Sequence, residues 1–115
     1  MKIAKEVVLC RSMSGYMVTL EQVKLPEHKA EWFCGYLQVP QDHVWYQDTD
    51  LPKRLRVSYS DERGRPGEWW VGFNLMGHGA DYHEAYARLL ELVTEAVNAQ
   101  QIAKVQGWVS EYAKN

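Results

Sequence analysis

The stretch from Glu68 to Asp81 constrains the fold of this chain more than any other, because a strand pattern there passes directly into a helix start. Large apolar side chains alternate onto two faces, with Trp69 and Phe73 on one face and Trp70 on the other. A strand that is apolar on both faces is typical of an internal strand covered on both sides. Gly72 leaves room on the second face for a neighbouring aromatic ring, which is the commoner case, or for a ligand.

A helix is predicted directly after this strand. Asp81-Tyr82-His83-Glu84 matches a capping box, in which each acidic side chain accepts a hydrogen bond from the backbone amide of the other residue. Apolar residues then recur at three- and four-residue steps up to Val97, which predicts one stripe packed on a sheet. The pattern slips in phase near residues 98–101, where we expect a bend or a second helix. A second stripe follows, packed on the domain or used for self-association: Ile102, Val105, Val109 and Tyr112.

Four further strand patterns precede the helix, at residues 3–11, 16–24, 31–39 and 55–60. Short turns rich in glycine, serine or proline join two pairs of strands, and strands joined in this way form antiparallel hairpins. The sequence therefore predicts a single α+β domain over residues 1–115. Its architecture would be a mostly antiparallel sheet of about five strands, packed against one or two C-terminal helices.

Size and charge exclude several classes of function. A chain of 115 residues buries enough surface to fold without a metal or disulfide. A net charge of −2 gives no overall positive field, so nucleic acid is not the expected partner. The chain has no signal-peptide pattern and no apolar run of membrane-spanning length. We therefore expect a cytoplasmic protein that does not bind membranes.

The loop between the third and fourth strand patterns is the first candidate site. Long loops without regular structure are often binding elements. Two aromatic residues here are rimmed by polar ones, which favours a surface that stacks on a ligand or anchors a protein partner. In the alternative interpretation, the two aromatic rings fold back and close the edge of the core. The candidate binding residues are Asp42, His43, Trp45, Tyr46 and Asp48.

A basic set around the fourth strand pattern is the second candidate. Arginine donates two parallel hydrogen bonds to phosphate or carboxylate groups, so these residues are suited to an acidic partner, and Arg54 and Arg56 are the main candidates. The alternative is a solvated edge strand whose charges protect it from aggregation. The full set is Lys53, Arg54, Arg56, Arg63 and Arg65.

A third candidate lies between the central strand and the helix. His78 is flanked by glycines, and Asp81 and His83 follow it closely. Imidazole with carboxylate suits a divalent metal or proton transfer, so a small-molecule or nucleotide-processing site is one hypothesis. The spacing matches no strong zinc pattern, and helix capping already explains Asp81. No other cofactor is expected.

Two motifs resemble a family of small uncharacterised proteins encoded by phages and prophages. The first is Trp32-Phe33-Cys34-Gly35-Tyr36-Leu37-Gln38-Val39-Pro40, followed by Asp42-His43. The second is Trp69-Trp70-Val71-Gly72-Phe73-Asn74, with His78 and Asp81 beyond it. The resemblance covers about residues 32–97. It departs at Asn74, where the relatives carry aspartate, and at residues 56–60, where they carry a glycine-rich segment.

This resemblance implies a phage or prophage accessory protein that acts in a bacterial cytoplasm. Together with the aromatic loop, it favours a non-enzymatic protein that binds a host or phage protein, such as a host defence or regulatory factor. The competing hypothesis is the small-molecule or nucleotide site at His78, Asp81 and His83. A third hypothesis is a homodimer in which residues 102–113 form the contact.

Overall fold

The first two strands form a hairpin in the computed structural model, which describes residues 2–113. Strand β1 (Ala4–Met13) pairs antiparallel with β2 (Tyr16–Leu25). In the turn between them, Ser14 and Gly15 have φ angles of 51° and 84°. Positive φ at both central residues is the geometry of a type I′ turn, whose twist matches that of the paired strands. The predicted first hairpin is confirmed.

Three more strands complete one antiparallel sheet. Strand β3 (Ala30–Val39) pairs with β2. Strands β4 (Tyr59–Glu62) and β5 (Trp69–Asn74) form a second hairpin, and β5 also pairs with β3. The order across the sheet is β1-β2-β3-β5-β4, so β5 is internal, as its two apolar faces predict.

The two faces of β5 are covered by aromatic rings that lie over glycines. Gly35 of β3 lies beneath the ring of Phe73, and a Cβ atom at this glycine would lie 2.3 Å from the nearest ring carbon. On the opposite face, the ring of Tyr36 covers Gly72, where a Cβ atom would lie 2.5 Å from the ring. The predicted role of Gly72 as space for a neighbouring aromatic is confirmed.

A single helix, α1 (Tyr82–Ala113), packs on one face of the sheet. It starts at the predicted capping box: the Glu84 amide donates to Asp81 Oδ1 at 2.8 Å, and the Asp81 amide donates to Glu84 Oε1 at 3.3 Å. The sheet and the helix share one hydrophobic core, and the fold is the predicted α+β class. The fully buried side chains include Val18, Leu20, Leu37, Val71, Leu89 and Leu92.

Two predicted boundaries are wrong. Strand β4 begins at Tyr59 rather than at Leu55, and residues 51–58 form a short 3-10 turn and an irregular segment. Leu55 and Val57 still pack against the core. Their alternating apolar pattern therefore reflects burial, although these residues are not part of a strand. The helix does not end near residues 98–101 but continues without a break to Ala113, so no second helix starts there. The second apolar stripe of α1 does not pack on the sheet. Its phase around the helix is therefore not constrained by that of the first stripe.

None of the helices in the described part of the chain combines the length and apolar character that crossing a membrane requires.

Candidate protein-binding surface

The loop between β3 and β4 folds back onto the helix. His43 and Trp45 have only 5% and 4% of their surface exposed. The Nδ1 atom of His43 accepts a hydrogen bond from the Trp45 amide at 3.0 Å, and its Nε2 atom lies 2.9 Å from the carbonyl oxygen of Ala96 in α1. Because a backbone amide can only donate and a carbonyl can only accept, His43 is a neutral imidazole with its proton on Nε2.

Burial sets the charge state of this histidine. Desolvation lowers the pKa of His43 below its ordinary value, although the Ala96 carbonyl and the nearby Asp42 carboxylate oppose this shift. The rings of Tyr16 and Trp45 stand edge-on to the imidazole, with centroids 5.6 and 5.2 Å away. His43 is thus a structural link between the loop and α1.

Tyr46 also closes the edge of the core. Its hydroxyl donates to the Gly67 carbonyl at 2.8 Å, and its ring centroid lies 6.2 Å from that of Trp69. The interpretation of Trp45 and Tyr46 as an exposed stacking surface is therefore wrong, and the alternative, in which they plug the core, is confirmed. Packing on the sheet removes the apolar area of these aromatic rings from water, and this burial favours the folded-back position of the loop.

The charged residues of the loop pair with one another. Asp48 binds the Arg54 guanidinium, and its second oxygen accepts from the Asp50 amide at 3.1 Å. Arg56 lies 3.6 Å from Glu91 of α1. Such partly exposed pairs add little stability, but they neutralise the charge that Arg54 and Arg56 would offer to an acidic partner. Asp42 is exposed.

Arg63, from the same basic set, lies on the sheet face opposite α1. Its guanidinium pairs with the buried carboxylate of Glu21 and lies 3.7 Å from the centroid of the Tyr36 ring. A cation over an aromatic face and beside a buried carboxylate is held by two attractions at once. Arg63 therefore holds the β4–β5 turn down onto the sheet.

His78, Asp81 and His83 lie near the start of α1, and all three are exposed. Asp81 is engaged in the capping box. Within residues 2–113 there is no group of three His, Cys, Asp or Glu side chains placed to share one metal ion. A metal or catalytic role for these residues stays a prediction.

A groove lies between the loop and the middle of α1. It has a volume of about 460 Å³ and is mainly apolar. Three of the predicted binding residues, Trp45, Asp48 and Arg54, line it, although only 4% of the surface of Trp45 is exposed. The other lining residues include Val44, Leu51, Leu55, Ala99, Ile102 and Gln106.

Beyond this groove, α1 extends past the sheet. The molecule is therefore elongated, 64 Å long and less than 30 Å wide. Residues 104–112 are all exposed. The largest apolar side chains of this segment are also the most exposed ones in the described chain: Trp108 at 66% and Tyr112 at 85%. Ile102, Val105 and Val109 are 58%, 51% and 62% exposed.

These five side chains form one stripe along the helix, which we name the free face of α1. Steps of three, four and seven residues place Ile102, Val105, Val109 and Tyr112 in line, with Trp108 beside them. Lys104 and Glu111, the charged residues between positions 98 and 112, lie four residues before and three residues after Trp108, so they border this face on its Trp108 side. Ile102 also lines the groove, so the two apolar surfaces are continuous.

Sequence reasoning found part of this surface. The stripe at Ile102, Val105, Val109 and Tyr112 was recognisable from its spacing, but Trp108 was missed because it lies one position outside the strict repeat. Gln100 was missed as well. Its side chain accepts from the Val44 amide at 2.9 Å and donates to the Asp42 carbonyl at 3.2 Å, which fixes the loop to α1. A polar residue in a helix gives no sequence signal of such a bond.

Comparison with protein-family models, curated proteins and solved structures finds no match to this chain. The resemblance to phage-encoded proteins therefore stays a prediction.

Proposed function

We propose that this protein acts by binding another protein through the free face of α1 and the groove next to it. The observation that carries this proposal is the contiguous exposure of five large apolar side chains on a helix that extends beyond its own domain. Contiguous apolar patches of several hundred Å² are rare on monomeric proteins and mark interaction sites. Tryptophan and tyrosine are also the residues most enriched at binding hot spots.

The composition of this segment supports the same function. A helix end that only meets water is normally rich in charge, but the fifteen positions from Asn98 to Tyr112 include only Lys104 and Glu111 as charged residues. Depletion of charge with enrichment of aromatics is the composition of interface centres. The proposal is for a binding role without catalysis.

The context of this function belongs to the proposal and is supported by the sequence resemblance alone. It is a phage or prophage accessory protein in the cytoplasm of a bacterial host, with a host or phage protein as partner. A host defence or regulatory factor fits this context. The groove would receive an apolar side chain of the partner, with Asp48 and Arg54 at its rim.

Affinity capture from bacterial lysate tests the proposal. The double variant Trp108→Ala, Tyr112→Ala keeps good helix formers in place and removes the two largest side chains of the free face. We expect it to lose at least nine-tenths of partner capture, since hot-spot truncations cost about 2 kcal/mol or more each. The matched control is Met76→Ala, which truncates another exposed apolar side chain, 58% exposed, outside this surface. Equal capture by both variants and the unaltered protein would contradict the proposal.

A further inference from the structure

We propose that the free face of α1 binds a second copy of this chain, with the two helices antiparallel about a two-fold axis beside Val105. This inference rests on the proposed function for its binding surface, and it takes a second copy of the chain, in place of a host or phage protein, as the partner of that surface. The supporting observations are the area of the face, its lack of net charge, and the two glutamates that precede it along the helix.

The area is sufficient for a dimer. From the exposed fractions of its five side chains, the free face presents roughly 600–700 Å² per chain. Stable interfaces bury about 800 Å² on each partner. The polar side chains of Asn98 and Gln101, which flank the stripe, supply most of the difference.

The charge pattern makes the face self-complementary. A two-fold interface brings the same patch of both subunits together, so any charge on the patch would meet its own copy or a neighbouring like charge. The five side chains of the free face carry none, and the two charged residues that border it beside Trp108, Lys104 and Glu111, have opposite signs. Two copies therefore meet without net electrostatic repulsion.

The residues before Asn98 decide the direction of the pair. Seven-residue spacing continues the stripe back to Glu95 and Glu91. Both carboxylates pair with Arg88, at 2.9 and 3.3 Å. A parallel pair would set each of these glutamates against its own copy. An antiparallel pair centred on Val105 leaves them outside the contact.

This register matches large side chains with smaller ones. Ile102 faces the second copy's Trp108, Tyr112 faces its Asn98, and the two Val105 side chains meet at the axis. The segment from Asn98 to Tyr112 is about 21 Å long at the helical rise per residue, so the two sheets lie at opposite ends and do not collide.

The pairing would also stabilise the exposed end of α1. Residues 104–112 are all exposed, and they include Gly107, where an added Cβ atom would meet no atom within 4 Å. Glycine weakens a helix by about 1 kcal/mol relative to alanine, and short helices without tertiary packing are marginal in water. A second helix supplies the missing packing.

Sedimentation equilibrium from about 1 to about 100 µM tests the dimer, because a reversible association depends on concentration. We expect a mass that rises toward twice 13.4 kDa. Trp108→Ala with Tyr112→Ala should stay at the monomer mass, and the control Ser110→Ala, at an exposed position on the far side of the helix, should dimerise as the unaltered protein does. A monomer at every concentration would overturn the inference.

Oxidative cross-linking tests the direction in a Cys10→Ser background, which removes the exposed native thiol. Val105→Cys should form a covalent dimer, because this position lies at the axis. Tyr112→Cys should not, because its two copies lie about 21 Å apart in this register. Cross-linking at Tyr112 alone would overturn the antiparallel arrangement. The capture experiment judges the proposed function separately: a monomer whose capture still depends on Trp108 has a different protein as its partner.

Discussion

At the residue scale, His43 shows how one buried polar side chain fixes a long loop. Both ring nitrogens have backbone partners, one in the loop and one in α1. Protonation of Nδ1 would remove its bond with the Trp45 amide and place a charge beside apolar rings. The neutral form is therefore required for the observed packing.

The first prediction is a loss of stability at acid pH that originates from His43. Its pKa is lowered in the folded protein, whereas in the unfolded chain it is about 6.5. The unfolded state therefore takes up the proton first, and the free energy of unfolding falls as the pH drops below about 6.5, by at most about 1.4 kcal/mol per pH unit. Thermal unfolding between pH 7.5 and 5 measures this slope.

Two variants separate His43 from other titrating groups. His43→Gln should unfold at a lower temperature at pH 7.5 and show a shallower loss toward pH 5. His28→Gln, at an exposed histidine in the turn before β3, should keep the slope of the unaltered protein. The same slope in all three proteins would contradict the prediction.

The second prediction concerns Gly72 in the middle of β5. A methyl group there would lie 2.6 Å from the Gly35 carbonyl oxygen and 2.5 Å from the Tyr36 ring. We expect Gly72→Ala to lower the free energy of unfolding by about 1–3 kcal/mol, because the neighbouring strand must move. In contrast, Gly107→Ala meets no atom within 4 Å and should be neutral or stabilising. Urea unfolding of both variants gives the comparison, and a neutral Gly72→Ala would show that the strands adjust freely.

At the element scale, α1 has two halves with different environments. Its first half is fixed at the start by the capping box, and its buried side Ala85, Leu89, Leu92 and Ala96 packs on the sheet. Its last turns are exposed on all sides. One continuous helix thus joins a core element to an exposed apolar segment.

The third prediction tests the cap. Asp81→Ala removes the acceptor for the Glu84 amide and should lower the free energy of unfolding by about 1 kcal/mol. The control His78→Ala, in the exposed turn just before the helix, should change stability by less than about 0.5 kcal/mol. Repeating both melts with added chelator also tests the metal hypothesis. A chelator-sensitive melting temperature that His78→Ala abolishes would show that His78 binds a metal.

At the scale of the whole molecule, the core and the free face of α1 lie in different regions. The core cluster ends at Ala99, whereas the free face begins at Ile102. The sheet, the loop and the first half of α1 form the stable body. The extended end of α1 exposes its apolar surface, which is available to a partner.

The fourth prediction follows from this division. A chain that ends at Gln101 should keep the sheet and melt within a few degrees of the full chain at low micromolar concentration, because residues 104–112 bury no side chain. Low concentration matters, since dimer formation itself raises the melting temperature of the full chain. Circular dichroism should show a loss of helix and no loss of strand. Unfolding of the shortened chain would contradict the division.

The sequence alone determined the elements whose cause is local. The glycine and serine turn predicts the first hairpin, the two-sided apolar pattern predicts an internal β5, and Asp81 with Glu84 predicts the start of α1. Turn geometry, period-two alternation and capping are decided by residues a few positions apart, so one chain is enough to recognise them.

Only the tertiary structure decided which apolar residues are buried. Trp45 and the stripe from Ile102 to Tyr112 are equally apolar in sequence, yet Trp45 packs into the core and the stripe faces outward. Similarly, the alternation at Leu55 and Val57 reports burial beside α1 without strand pairing. Burial depends on contacts between residues about fifty positions apart, such as that of His43 with Ala96. It also depends on how much apolar area of the sheet remains to be covered. No local pattern encodes these distances, and for this reason the sequence showed the stripe from Ile102 to Tyr112 but only the folded molecule showed that it is exposed.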